Sequence, residues 1–444
     1  MKQKHQGWWN PRWMVVLLTI LSRLPFVFST FGSDPNAWRI AHSGLRLWRE
    51  GFFQVSRLPG FPVPELSAAL IVPSFGAIGM NLVSTLLAAG AVNYFYKICE
   101  KLKVPQPALA SLAFSFVPVL FVSSMTSLDY IWSLFFFIVG LNAILSQRYW
   151  LAGIAMGLAI GSRLTYAALL LPLALLAQFN QKKRHFNPQA LATVIGLAAT
   201  VGGFCFIPIV KAYNASILLY DFQSLASPTL FHFDHVTMAF GALGLVALMV
   251  FAIFRILGPR TVAALPKEWV LASTLVYLIY VPAALIFAEG PIYFLPVLPF
   301  LIVQVFYRSP IALQWVFTGL MVLSPFVLRF DHGEFHVTGW AVHELRQRLG
   351  NGQYLLRVAN QPGLDSEKNL IIVGQHFAEL AFRLYESGRS MPGNWREFTN
   401  SIEIQGLKGV GKEIYYLKGQ DEYIRSTMGF DLKAEGAREL EITL

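Results

Sequence analysis

The feature that most constrains this chain is a series of apolar runs, at 12–30, 66–96, 105–126, 130–146, 149–161, 164–179, 188–211, 236–256, 268–288, 291–307 and 311–329. Many are long enough to cross the hydrocarbon core of a bilayer as a helix. Composition agrees with that reading. Of 444 residues, 55% are hydrophobic and 14% are charged; a soluble domain carries about 25% charge. A soluble enzyme, a disordered scaffold and a nucleic-acid-binding module are therefore excluded. The net charge of +10 is unevenly placed. Residues 1–329 hold 22 Lys/Arg against 9 Asp/Glu, and residues 330–444 hold 13 against 16.

The run 149–179 is too long for one span and is interrupted by Gly161-Ser162-Arg163, so it reads as a hairpin of two short helices. Trp13–Phe28 has no small-residue cleavage site after it and reads as a retained first span. With the N-terminus cytoplasmic, the inner loops hold 14 Lys/Arg and the short outer loops 6, which is the polarity expected of a membrane protein. Eleven spans then put the C-terminus outside. From Phe330 charges and turns return. Asn369–Val373 and Glu413–Lys418 read as strands and Phe377–Ser387 as an amphipathic helix. The expectation is an all-α polytopic membrane domain over 1–329, with about eleven transmembrane helices and a first outer loop at 31–65, followed by a small extracytoplasmic α/β domain over 330–444. Gly374 follows a strand without a GxGxxG pattern and marks no nucleotide site. Cys99 and Cys205 suggest no disulfide.

Acids near a membrane need a reason. This topology puts Asp34, Glu50, Glu65, Asp129, Asp221, Asp234 and Glu289 on the outer side. The first outer loop is the richest in polar groups. Trp38, Ala41, Leu45, Trp48 and Phe52 recur at helical spacing, with Arg39, His42, Arg46 and Glu50 on the other side. That pattern predicts a helix lying in the interface with its apolar face among the headgroups. Ser56-Arg57-Leu58-Pro59-Gly60-Phe61-Pro62 follows, a stretch too rich in proline for a helix. Each of these residues also has a plainer reading. Asp34 before Pro35 is a standard helix cap, and Asp129 caps equally well. Arg57 suits lipid phosphates, and Arg163 suits snorkelling to the interface. Two His/acid clusters, His232-Phe-Asp234-His235 and Asp331-His332-Gly-Glu334-Phe-His336, match no standard metal motif, and no cofactor is expected. There is no GxSxG for a serine hydrolase.

Taken in order, these stretches resemble the C superfamily of glycosyltransferases (GT-C), in particular a prokaryotic branch that includes protein mannosyltransferases and the aminoarabinose transferase of lipid A. The resemblance covers about residues 12–307. It rests on Ser33-Asp34-Pro35-Asn36-Ala37-Trp38-Arg39 with Ser56–Pro62, on Leu128-Asp129-Tyr130, on Ala152–Thr165 and on Tyr293-Phe294-Leu295-Pro296-Val297-Leu298-Pro299. It implies a polyprenyl-phosphate-linked sugar donor, a lipid, glycan or protein acceptor, and an active site on the outer face among membrane lipids. It makes Asp34 the base and Asp129 a second acid. Arg57 and Arg163 become phosphate clamps, with Glu65, Lys211 and Tyr293 as further substrate contacts. Two departures stand out. Ile292 occupies a position that is often basic, and no Asp-X-Asp follows the first span, so a metal-dependent oligosaccharyltransferase pattern is not supported. A polysaccharide polymerase or ligase, which lacks the first-loop acid, and a transporter, which would repeat the 161–163 break in its second half, are the alternatives.

Overall fold

A computed structural model describes residues 10–179, 187–219, 234–257, 265–287, 289–331, 334–361, 364, 366, 368–428 and 431–440. The apolar runs fold into helices. After α1 (Pro11–Val27), a polar helix α2 (Pro35–Glu50) leads into α3 (Pro62–Lys101), around which α1, α2, α4 (Pro107–Phe116) and α6 (Asp129–Leu145) pack. α3 is 40 residues long and kinks at Gly76, whose φ of 54° an L side chain rarely adopts. The run 105–126 is split by Pro118 into α4 and α5 (Pro118–Ser123).

α7 (Tyr149–Ser162) ends where the sequence breaks. Arg163 is extended, a 3₁₀ turn follows at Leu164–Leu169, and α8 (Leu170–Phe179) resumes the helix. α7 lies along α9 (Pro188–Tyr213). Gly153, Gly157 and Gly161 make that approach possible: a Cβ there would come within 2.5–2.8 Å of Leu197, Val201 and Cys205 side chains. α10 (Asp234–Leu257), α11 (Lys267–Ile286), α12 (Leu298–Tyr307) and α13 (Ile311–Leu323) complete the bundle. Among the described residues, α3, α9, α10 and α11 are each long and apolar enough to cross a membrane, and shorter apolar helices accompany them. The chain is a mostly helical multi-pass membrane protein.

A hairpin of β1 (Val327–Asp331) and β2 (Glu334–Thr338) straddles the compositional boundary at Phe330, with β1 packed against α10. Beyond α14 (Trp340–Asn360) come β3 (Asn369–Ile372), α15 (Phe377–Glu386), β4 (Trp395–Arg396), α16 (Ser401–Gly409), β5 (Glu413–Tyr416), α17 (Gln420–Met428) and β6 (Arg438–Glu439). The strands form a parallel sheet in the order β4-β3-β5-β6. Alternation along β3 sends Ile371 to a core with Leu355 and Leu380, and Leu370 and Ile372 to a second core with Ile404 and Ile424.

This unit corrects one expectation. Trp38, with 4% exposure, does not anchor in headgroups. Its indole meets Phe31 and Phe382 of α15, with ring centroids 5.1 Å apart for Phe31–Phe382 and 5.6 Å for Trp38–Phe382. Ala41 and Leu45 are also buried, and Gly44 lies so close to α3 that an added Cβ would be 2.6 Å from Ala68. The apolar stripe of α2 is covered by protein, and only Trp48 and Phe52 at its end are exposed.

Candidate active site

Two rigid turns build the site. In the first, the N–H and hydroxyl of Ser56 both donate to Glu65 Oε1 (2.7 and 2.5 Å), which pins the proline-rich stretch against the first turn of α3. That presents Arg57, whose guanidinium stacks over Phe61 at 4.2 Å. In the second, the break after α7 presents Arg163, which meets Tyr130 and Tyr293 at 5.1 and 5.5 Å. The two arginines converge on Asp129. Arg57 Nη2 donates to Asp129 Oδ1 and Arg163 Nη1 to Oδ2, both at 2.8 Å. Glu289, in the turn after α11, closes the other side: its Oε2 accepts from Arg163 Nη2 at 2.5 Å and its Oε1 lies 3.5 Å from Arg57 Nε.

Arg163 is buried, with 7% of its side chain exposed, and Arg57 is part-buried, with 13% exposed. Neither snorkels to the interface nor lies open to headgroups. Arg57 Nη1 is buried and has no hydrogen-bond partner among the described residues. Burial works against an ionised Glu289, but the Arg57 and Arg163 charges prevail and hold its carboxyl at about 2.

Beside this centre lies a cavity of about 490 Å³. Its wall includes Asp34, Tyr130, Glu289 and Ile292 from the bundle side and Trp340 and Glu344 from α14. Asp34 caps α2 through Oδ1, which accepts from the Asn36 N–H at 2.8 Å, and it also faces this cavity. Burial raises its carboxyl above the usual aspartate range; the Asn36 N–H and the Arg57 charge oppose that, and Glu289 and Glu344 add to it. A proton acceptor beside a pair of arginines is the inventory for a displacement at a phosphate-linked carbon.

The structure thus brings Arg57, Arg163, Asp129 and Tyr293 together, with the arginines against Glu289 and Tyr130, which line the cavity with Asp34. It places the others differently. Both oxygens of Asp129, 0% exposed, are occupied by the arginines, so it holds them in place and offers no oxygen to a substrate. Glu65, also 0% exposed, locks the Ser56 turn and does not line the cavity. Lys211, at the end of α9, is exposed and outside the cavity wall. Glu289 was legible only as one of the few outer acids, in a short turn just before the Tyr293 stretch. Among the described residues no group of three His, Cys, Asp or Glu could hold a metal. His232 and His332 of the two clusters, and Asp221, lie outside the described residues.

No known protein family and no curated protein matches this sequence. Solved structures do match. ArnT from Cupriavidus metallidurans, crystallised with undecaprenyl phosphate, superposes with a TM-score of 0.59 at 13% identity, over 98% of this chain and 90% of that one. The oligosaccharyltransferase of Archaeoglobus fulgidus, tethered with an acceptor peptide, gives a TM-score of 0.47 at 12% identity, over 85% of this chain and 63% of that one. The match to ArnT is a likeness of fold.

Proposed function

We propose that this chain is an integral membrane glycosyltransferase that moves a sugar from a polyprenyl-phosphate donor to a lipid, glycan or protein acceptor on the outer face of a cell membrane. About eleven spans with a cytoplasmic N-terminus would set the site on that face, and residues 330–444 would form an extracytoplasmic domain whose helix α14 walls the cavity. The observation that carries the reading is the convergence of Arg57 and Arg163 beside a cavity that holds Asp34. In the reaction the acceptor's hydroxyl or amine attacks the anomeric carbon, the carbon–oxygen bond to phosphate breaks, and its electron pair stays on the phosphate oxygen. Asp34 takes the acceptor's proton. The arginines, oriented by Asp129 and braced by Tyr293 and Phe61, stabilise the charge that grows on the phosphate. Phosphate is already a good leaving group, so one carboxylate suffices; a hydrolase would set two across the bond. With the apolar Ile292 on the cavity wall, the arginine pair replaces the basic residue often found there.

The test compares lipid-linked and surface glycans in cells with and without the protein, and then transfer by the purified protein. A glycan that loses one sugar while its polyprenyl-linked donor accumulates is the expected result. Unchanged glycans with a displaced small solute or lipid would point to a transporter and contradict the proposal.

A further inference from the structure

Glu289 faces two ways. It lines the cavity, with 36% of its side chain exposed, and it touches both arginines. Asp129 touches the same arginines from the start of α6 and is wholly buried. Two guanidiniums and two carboxylates leave the centre with no net charge, a poor receptor for an anion. Without Glu289, the same arginines over Asp129 would carry one net positive charge. A carboxylate and a phosphate present the same paired oxygens to a guanidinium fork, and Arg57 Nη1 has no partner among the described residues.

We infer that Glu289 is an internal counter-ion standing where the donor's phosphate binds: it covers the arginine pair when the site is empty, gives way to the phosphate, and returns as the polyprenyl phosphate leaves. This rests on the function proposed above. Position suits the role. Glu289 sits in the turn between α11 and the 3₁₀ helix Gly290–Phe294, outside any long helix, so a rotation of its side chain is enough to vacate the site. Its low acidity range, about 2, keeps it charged at neutral pH, so the phosphate must displace it and cannot wait for it to be protonated. The returning carboxylate repels the departing phosphate and re-pairs the arginines, which favours release of a product more highly charged than the donor.

The experiment titrates undecaprenyl phosphate onto the full-length purified protein and follows transfer kinetics in the same preparation. Glu289→Gln and Glu289→Ala are expected to bind the carrier about tenfold more tightly, the size of one charge-assisted contact. Both should show a lower KM for donor, a lower kcat and stronger inhibition by the carrier. Equal or weaker binding in both variants, while wild type binds and Arg57→Gln and Arg163→Gln lose binding, would overturn the inference alone and reduce Glu289 to a brace. Transfer abolished in Glu289→Gln with carrier affinity unchanged would overturn it too, by moving Glu289 into the chemistry. A wild-type protein that does not bind the carrier would overturn the donor assignment, and the counter-ion role with it.

Discussion

Two arginine–carboxylate centres flank the cavity, and they are built differently. At the seam with the C-terminal unit, Arg348 Nε donates to Glu344 Oε1 at 2.8 Å, and its Nη1 donates to Ser29 Oγ and to the backbone carbonyls of Thr30 and Met125. Glu344 in turn accepts from the N–H and hydroxyl of Ser33. At the other centre, Arg57 and Arg163 are held by side-chain carboxylates and aromatic faces. Among the described residues each centre leaves one terminal nitrogen unpaired, on Arg57 and on Arg348. The difference lies in what the partners can do. A backbone carbonyl cannot leave, so the first centre is a joint that fixes the loop before α2 to α14. A partly exposed carboxylate such as Glu289 can be exchanged for another anion, which is what the proposed phosphate site requires of the second centre.

Asp34 is the acid that shares the cavity with both centres. Asn still caps a helix but takes no proton. Asp34→Asn should lower transfer by about 10²- to 10⁴-fold in a protein with an unchanged unfolding temperature. Full activity would make Asp34 a cap and the second centre a brace like the first. The next largest effect is on stability. Asp129→Asn leaves the buried Arg163 and the part-buried Arg57 facing one carboxylate, and breaking a buried pair costs about 3–5 kcal/mol, to be read from denaturant unfolding in detergent. Glu344→Gln, whose amide oxygen still accepts from Ser33, should cost less. At pH 7 its charge contributes stability, since Arg348 and the Ser33 groups outweigh burial and hold Glu344 below the usual glutamate range. That contribution is present above the unfolded glutamate range and is lost as pH falls through the lower folded one. The smallest effect should come from Arg163→Lys, which keeps charge but loses the fork: about 1.5–3 kcal/mol, seen as a raised KM for donor with little change for acceptor.

Much of this was legible in the sequence, for local reasons. Apolar runs, the Gly161-Ser162-Arg163 break and the Asp34–Pro35 cap each depend on neighbours within a turn or two. The same holds for the expected strands Asn369–Val373 and Glu413–Lys418, observed as Asn369–Ile372 and Glu413–Tyr416, and for the helix Phe377–Glu386. The stripe of α2 shows the limit. Helical spacing says that a face is buried and not what buries it, and Phe382 lies 344 residues from Trp38. Glu65 and Glu289 show another. A single acid in a turn has no pattern that tells a turn lock from a site residue. The pairing of Arg163 with a glutamate 126 positions away is set by the helix packing alone.

The most direct measurement is a structure of the full-length protein with undecaprenyl phosphate bound. The phosphate should lie within hydrogen-bonding distance of both Arg57 and Arg163, with Glu289 turned away from them and Asp34 facing the cavity beside it. A phosphate bound elsewhere, with the Arg57–Glu289–Arg163 contacts intact, would contradict the account.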